Sequence, residues 1–107
     1  MQEQDITPTE LNERIARGEE IVLIDVREPY EWSAGHIESA QHIPMQQIPG
    51  RLAEIPRDAE VVMICRSGGR SGQVQQYLRQ QGFTNVKNLI GGMQRWAREV
   101  DSTIRVA

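Results

Sequence analysis

Apolar positions in this chain come as short unbroken runs, and between them they recur at helical spacing. Ile21-Val22-Leu23-Ile24 and Val61-Val62-Met63-Ile64 are apolar throughout and too short for helices, so they read as strands buried on both faces. Ala40–Ile43, before Pro44, and Val86–Leu89 read as two further strands. Thr7-Pro8-Thr9-Glu10 is a helix start, with Thr7 as N-cap, Pro8 at the first helical position and Glu10 placed to close a capping box. Leu11 and Ile15 share a face of that helix, and Gly18 ends it. Pro29–Trp32 predicts one or two helical turns stopped by Gly35. Ile48, Leu52 and Ile55 keep helical spacing, interrupted by Pro49-Gly50. Val74, Tyr77 and Leu78 form the apolar stripe of a longer helix, with Gly82 as its C-terminal cap and Phe83 folding back. Gly91-Gly92 makes a turn into a short helix, Met93–Arg98, and Asp101–Ala107 carries no pattern. Apolar strands alternating with helices predict an α/β fold, a parallel sheet covered on both faces. Ligands of such sheets bind beyond the carboxyl ends of the strands, where Asp25 and Cys65 stand.

At 107 residues the chain is expected to be one domain, 1–107, with a core of about 5–99 and a tail over 100–107. Its net charge of −3 comes from interspersed acids and bases, and no basic stripe marks a nucleic-acid surface. No apolar run approaches membrane-spanning length. The polar, acidic start Met1–Asp5 has neither signal-peptide nor transit-peptide character. One cysteine excludes an internal disulfide and a resolving thiol within the chain. A reaction at that thiol must therefore be completed by another molecule. An unpaired reactive thiol suits a reducing compartment, so the expected location is cytoplasmic.

That cysteine opens the segment Cys65-Arg66-Ser67-Gly68-Gly69-Arg70-Ser71, which leaves the Val61–Ile64 strand and leads into the next helix. The following six residues are small, polar or cationic and offer no apolar pocket. Backbone N–H groups of such a loop form an anion nest, and a helix N-terminus adds partial positive charge. Arg66 and Arg70 add formal charge. These surroundings predict a thiol ionised below its ordinary range, hence a nucleophile rather than a small buried hydrophobe.

The same residues belong to a wider pattern. Asp25-Val26-Arg27-Glu28-Pro29-Tyr30-Glu31-Trp32, Gly35-His36-Ile37 with Ala40 and Ile43-Pro44, the Cys65–Arg70 loop, and Leu89-Ile90-Gly91-Gly92-Met93 leading to Trp96 follow one another in order. Together they resemble a single-domain rhodanese-like (thiosulfate sulfurtransferase) protein over nearly the whole chain. The resemblance implies a parallel five-stranded sheet with helices on both faces and an active-site loop after the fourth strand. It implies Cys65 as catalytic nucleophile and persulfide carrier, with residues 66–70 supplying the N–H cradle. It also implies that Asp25 and Arg27 brace the site, and that His36 packs beneath the surface.

The chemistry expected is covalent double displacement. A small anionic sulfur donor such as thiosulfate is attracted by Arg66 and Arg70, whose guanidinium groups match oxyanions. The outer sulfur then passes from a Cys65 persulfide to cyanide, a thiol or a sulfur-accepting protein. No general base and no separate cofactor are required if Cys65 is already ionised. Arg66 is expected at the mouth, selecting substrate, and Arg70 either there or tied to Asp25 or Glu31. Gly68 and Gly69 are expected to supply backbone angles that other residues resist. Ser67 and Ser71 are candidate donors to the persulfide, with Ser71 alternatively an N-cap. No metal is expected, because the spacing of His36, His42 and Cys65 matches no metal signature. Two alternatives remain at this point. One is a persulfide carrier or docking module with little turnover of its own, which passes sulfur to a partner protein or merely docks one. The other is a cysteine-dependent phosphatase or arsenate reductase, whose loops carry one residue more between Cys and Arg than the four here.

Overall fold

The unbroken apolar runs become the centre of a five-stranded parallel sheet. A computed structural model describing residues 4–107 orders the chain as β1 (Asp5–Ile6), α1 (Pro8–Ala16), β2 (Ile21–Asp25), α2 (Pro29–Ala34) and β3 (Gln41–His42). A 3₁₀ segment (Met45–Glu54) follows, then β4 (Glu60–Ile64), α3 (Gly69–Gln80), β5 (Val86–Leu89) and α4 (Gly92–Glu99). The polar start read as free of targeting signals lies partly outside the described residues. In space the strands run β1-β5-β4-β2-β3, and every neighbouring pair is parallel. β4 is central. Its register sets Asp25 opposite Ile64, so the two candidate strand ends lie side by side.

Within the apolar runs the strand period of two still sorts side chains between the faces. Val61, Met63 and Cys65 join one buried cluster with Ile24, Val74, Leu78 and Phe83. Val62 and Ile64 join the other with Leu23, Leu11, Leu89 and Trp96. Each such burial contributes about 1.5–3 kcal/mol. Parity therefore aims Cys65 at the face that α3 covers. Asn88 on β5 shares the parity of Val86, a member of the same cluster.

Caps follow the local chemistry. Thr7 accepts the Glu10 N–H at 3.2 Å and starts α1. The α3 helix ends with Gly82 N–H bonded to the Arg79 carbonyl (3.1 Å) and Phe83 N–H to that of Leu78 (3.0 Å), a Schellman closure. The segment expected to split at Pro49-Gly50 runs through Pro49 as 3₁₀ turns and breaks at Arg51 instead. Proline lacks only its own N–H, which a tight, short-range turn can spare. Two features escaped the sequence pattern. β1 is two residues long, too short to show a period. The patternless tail packs, with Ile104 and Val106 against the Trp96 cluster.

Candidate active site

Cys65 leaves β4 and the chain reaches α3 after only Arg66, Ser67 and Gly68. Gly68 is the helix N-cap, in the left-handed region at φ +106°. The positive φ favours glycine, and a β-carbon there would also stand in tight contact, 3.3 Å, with the Gly91 nitrogen. This turn directs the Gly68 N–H at Cys65 Sγ, 3.0 Å away. Gly69 does not share the role. It lies outside the left-handed region, and a β-carbon there would meet nothing within 4 Å.

Ser71 is the third residue of α3, not its N-cap, because the helix begins earlier than its side-chain pattern suggests. It is fully buried, and its Oγ lies 3.3 Å from Sγ. Burial pushes the Cys65 thiol up. The Ser71 hydroxyl and the amides of Ser71, Gly68 and Ser67 more than offset this, and the net is a thiol held below its ordinary value. Cys65 is thus at once a core residue, 1% exposed, and the focus of a polar cradle. One wall is hydrocarbon and the other is amide.

The loop's carbonyls are held from behind. Met93 N–H donates to the Cys65 carbonyl (2.8 Å) and Gln94 N–H to that of Arg66 (3.0 Å), so the N-terminus of α4 clasps the loop. Gly92 permits this approach, since a β-carbon there would collide with the Cys65 carbonyl and the Arg66 backbone. The Gly91-Gly92 pair is thereby part of the site and more than a turn.

The two arginines separate. Arg70 closes on Glu31 of α2 with two hydrogen bonds of 2.7 and 2.8 Å, taking Glu31 and not Asp25. The Arg70 guanidinium is the main reason the buried Glu31 carboxyl is lowered to about 2. Arg70 itself is held above its ordinary range, first by Glu31 and secondarily by the Cys65 charge. Arg66 is exposed, and its Nε donates to the Ala107 carbonyl at 2.7 Å. Ser67 is exposed and contributes its amide.

Asp25 and Arg27 form a buried pair at the end of β2, with Nη2–Oδ2 at 2.7 Å. Arg27 also donates to the Gly35 carbonyl at 2.8 Å, tying β2 to the far end of α2. Neither side chain bonds residues 65–71 among the described residues. Their link to the loop is the sheet, where Val26 N–H bonds the Ile64 carbonyl at 2.8 Å. His36 and His42 both lie parallel to the Trp32 ring, at 3.6 and 4.8 Å, and bond the backbone carbonyls of Trp32 and Arg27. His36 is half-buried.

One residue escaped sequence reasoning. Asn88 donates from Nδ2 to the Gly68 carbonyl (3.1 Å), and its Oδ1 lies 2.5 Å from Ser71 Oγ. The signal was a polar side chain at inward parity in a buried strand. A recess of about 500 Å³ lies at the amino ends of β4 and β5, away from Cys65, and is lined by Arg57, Glu60 and Lys87 among others.

A model of the rhodanese-like domain matches residues 7–99. The chain belongs to that family. A sulfurtransferase of Allochromatium vinosum is 47% identical over 94 residues, 88% of this chain and 88% of its own. The putative sulfur carrier protein YrkF of Bacillus subtilis is 30% identical over 91% of this rhodanese-like chain, which spans 52% of that protein. The solved structure of a rhodanese-like domain protein from Staphylococcus aureus is 30% identical. It superposes with a TM-score of 0.85, covering 97% of this chain and 98% of its own. The fourth strand of the rhodanese-like sheet leads into the loop, as the resemblance implied.

Proposed function

We propose that this rhodanese-like protein transfers sulfane sulfur from thiosulfate, or a similar small anionic donor, through a Cys65 persulfide. The observation that carries the reading is the Gly68 amide aimed at Sγ at the start of α3. Cys65 Sγ, as thiolate, attacks the outer sulfur of thiosulfate. A bond forms between Sγ and that sulfur, the sulfur–sulfur bond of thiosulfate breaks, and sulfite departs with its electron pair. The persulfide anion that remains is a charge suited to the loop's N–H groups. Cyanide or a thiolate then attacks the outer sulfur and returns Cys65 as thiolate. No base is needed, because the cradle already favours the ionised form.

Arg66 is the cation suited to the donor's oxyanion. Arg70, closed on Glu31, holds the cradle's shape and supplies charge at longer range. The near-complete burial of Sγ favours a narrow sulfane sulfur over a bulky tetrahedral group, which speaks against phosphoryl chemistry. We place the protein in a reducing compartment, the cytoplasm. No helix among the described residues is long and apolar enough to cross a membrane.

A second reading, a carrier that delivers persulfide sulfur to a partner protein, is favoured by the relation to a putative sulfur carrier. Intact mass after incubation with thiosulfate tests the chemistry common to both. The expected result is a gain of one sulfur atom, removed by cyanide and absent in Cys65→Ser. No gain overturns it. Steady thiocyanate production marks an enzyme. A stable adduct released only to a protein thiol marks a carrier.

A further inference from the structure

Ser71 Oγ carries a single proton and faces two acceptors. Asn88 Oδ1 is 2.5 Å away and Cys65 Sγ is 3.3 Å away. The Asn88 amide has one orientation open to it. The Gly68 carbonyl can only accept, so Nδ2 must face it at 3.1 Å, which turns Oδ1 to Ser71. While Cys65 is a thiol, every group is satisfied in one chain, from S–H to Ser71 Oγ and from Ser71 O–H to Asn88 Oδ1. Once the thiol proton leaves for solvent, the sulfur and Asn88 Oδ1 compete for the one Ser71 hydroxyl proton, and sulfur receives only the share that Asn88 leaves.

We infer that Asn88 is a positioning residue for the sulfur chemistry, governing how much of the Ser71 hydroxyl proton reaches Cys65 Sγ. Its other contact does not carry this role, because the Gly68 carbonyl also accepts the Gly72 N–H at 3.1 Å and keeps a partner without Asn88. Holding the hydroxyl back leaves the thiolate less satisfied and more nucleophilic. Intrinsic attack by a thiolate weakens as it is stabilised, and the best attacking thiol ionises near ambient pH. In the persulfide the charge moves to the outer sulfur, and the hydroxyl returns to Asn88. Asn88 thereby favours the loaded form over the bare thiolate. This last consequence rests on the sulfur-transfer reading. The proton competition does not. Arg70 on α3, whose charge is felt at Cys65, its partner Glu31 on α2, and Asp5 on β1, which stands opposite Asn88 in the sheet, are unchanged by substitution at 88.

The test is the pH profile of iodoacetamide alkylation on the whole chain, beside melting temperature. Asn88→Ala frees the hydroxyl for sulfur. It is expected to lower the inflection by about one unit and the limiting rate above it about threefold. Asn88→Asp keeps the hydroxyl and adds negative charge, and raises the inflection. In a Ser71→Ala background the effect of Asn88→Ala disappears. Should Asn88→Ala not fold, Asn88→Ser, too short to hold Ser71 Oγ, takes its place with the same sign. An unchanged inflection with a lowered melting temperature overturns the proposal, as does a shift that persists without the Ser71 hydroxyl. A wild-type chain that takes no sulfur from thiosulfate, yet shows these shifts, overturns the sulfur-transfer reading and leaves this one standing.

Discussion

Gly68 shows how one residue's backbone decides the chemistry of another. Its left-handed conformation is what turns its N–H onto Sγ. Gly68→Ala is expected to cost about 1–2 kcal/mol and to move the alkylation inflection up, because the amide no longer points at sulfur. In the unsubstituted chain that inflection lies below the ordinary thiol value of about 8.5, since the three amides and the share of the Ser71 hydroxyl that reaches sulfur outweigh burial. Reactivity then rises with pH through the lowered value and is flat above it. An inflection at the ordinary value would defeat the cradle. Arg66→Ala is expected to weaken thiosulfate uptake several-fold while leaving alkylation by neutral iodoacetamide nearly unchanged. Equal losses would make Arg66 a loop strut. The glycines of the loop looked alike in the sequence. The φ values and the space around each separate Gly68 from Gly69, because glycine permits unusual angles without demanding them.

Two contacts between elements hold the cradle. The first joins α2 to α3 through Glu31 and Arg70. The Glu31 carboxyl is depressed from its ordinary value of 4.5 to about 2, so its contribution to stability is present above 4.5 and is lost as pH falls toward 2. Glu31→Gln is expected to lose about 1 kcal/mol near neutral pH, after allowance for the partial exposure of Arg70. Its melting temperature should fall less than that of the parent chain between those two pH values. Parallel melting curves would show that the pair is energetically silent. The second contact is the N-terminus of α4 on the loop carbonyls. Gly92→Ala forces α4 away, at a cost of about 1–3 kcal/mol, and is expected to abolish thiosulfate-dependent mass gain even where the chain stays folded. The Cys65 loop and the Gly91-Gly92 turn were each legible in the sequence. Their contact was not, because it joins the end of β4 to the start of α4 with no local pattern to announce it.

At the scale of the whole molecule, the tail closes over the chain. Ile104 and Val106 pack on the Trp96 cluster, and the Ala107 carbonyl receives Arg66. Gly35 lies so close to the Arg105 backbone that a β-carbon would collide with it. Removing residues 104–107 is expected to cost about 1–3 kcal/mol and to change the KM for thiosulfate more than kcat, by freeing Arg66. An unchanged melting temperature and KM would show that the tail merely rests on the surface.

The sequence alone determined the strand ends, the thiol between a strand and a helix, and the parallel sheet, because each follows from periodicity and from chemistry local to a few residues. Tertiary structure decided which partners complete the cradle. Asn88 from β5, Glu31 from α2, the amides of α4 and the carbonyl at Ala107 reach the loop across the sheet's carboxyl edge. Such contacts depend on strand order and on the parity of side chains in neighbouring strands, which become relations only when the strands lie side by side.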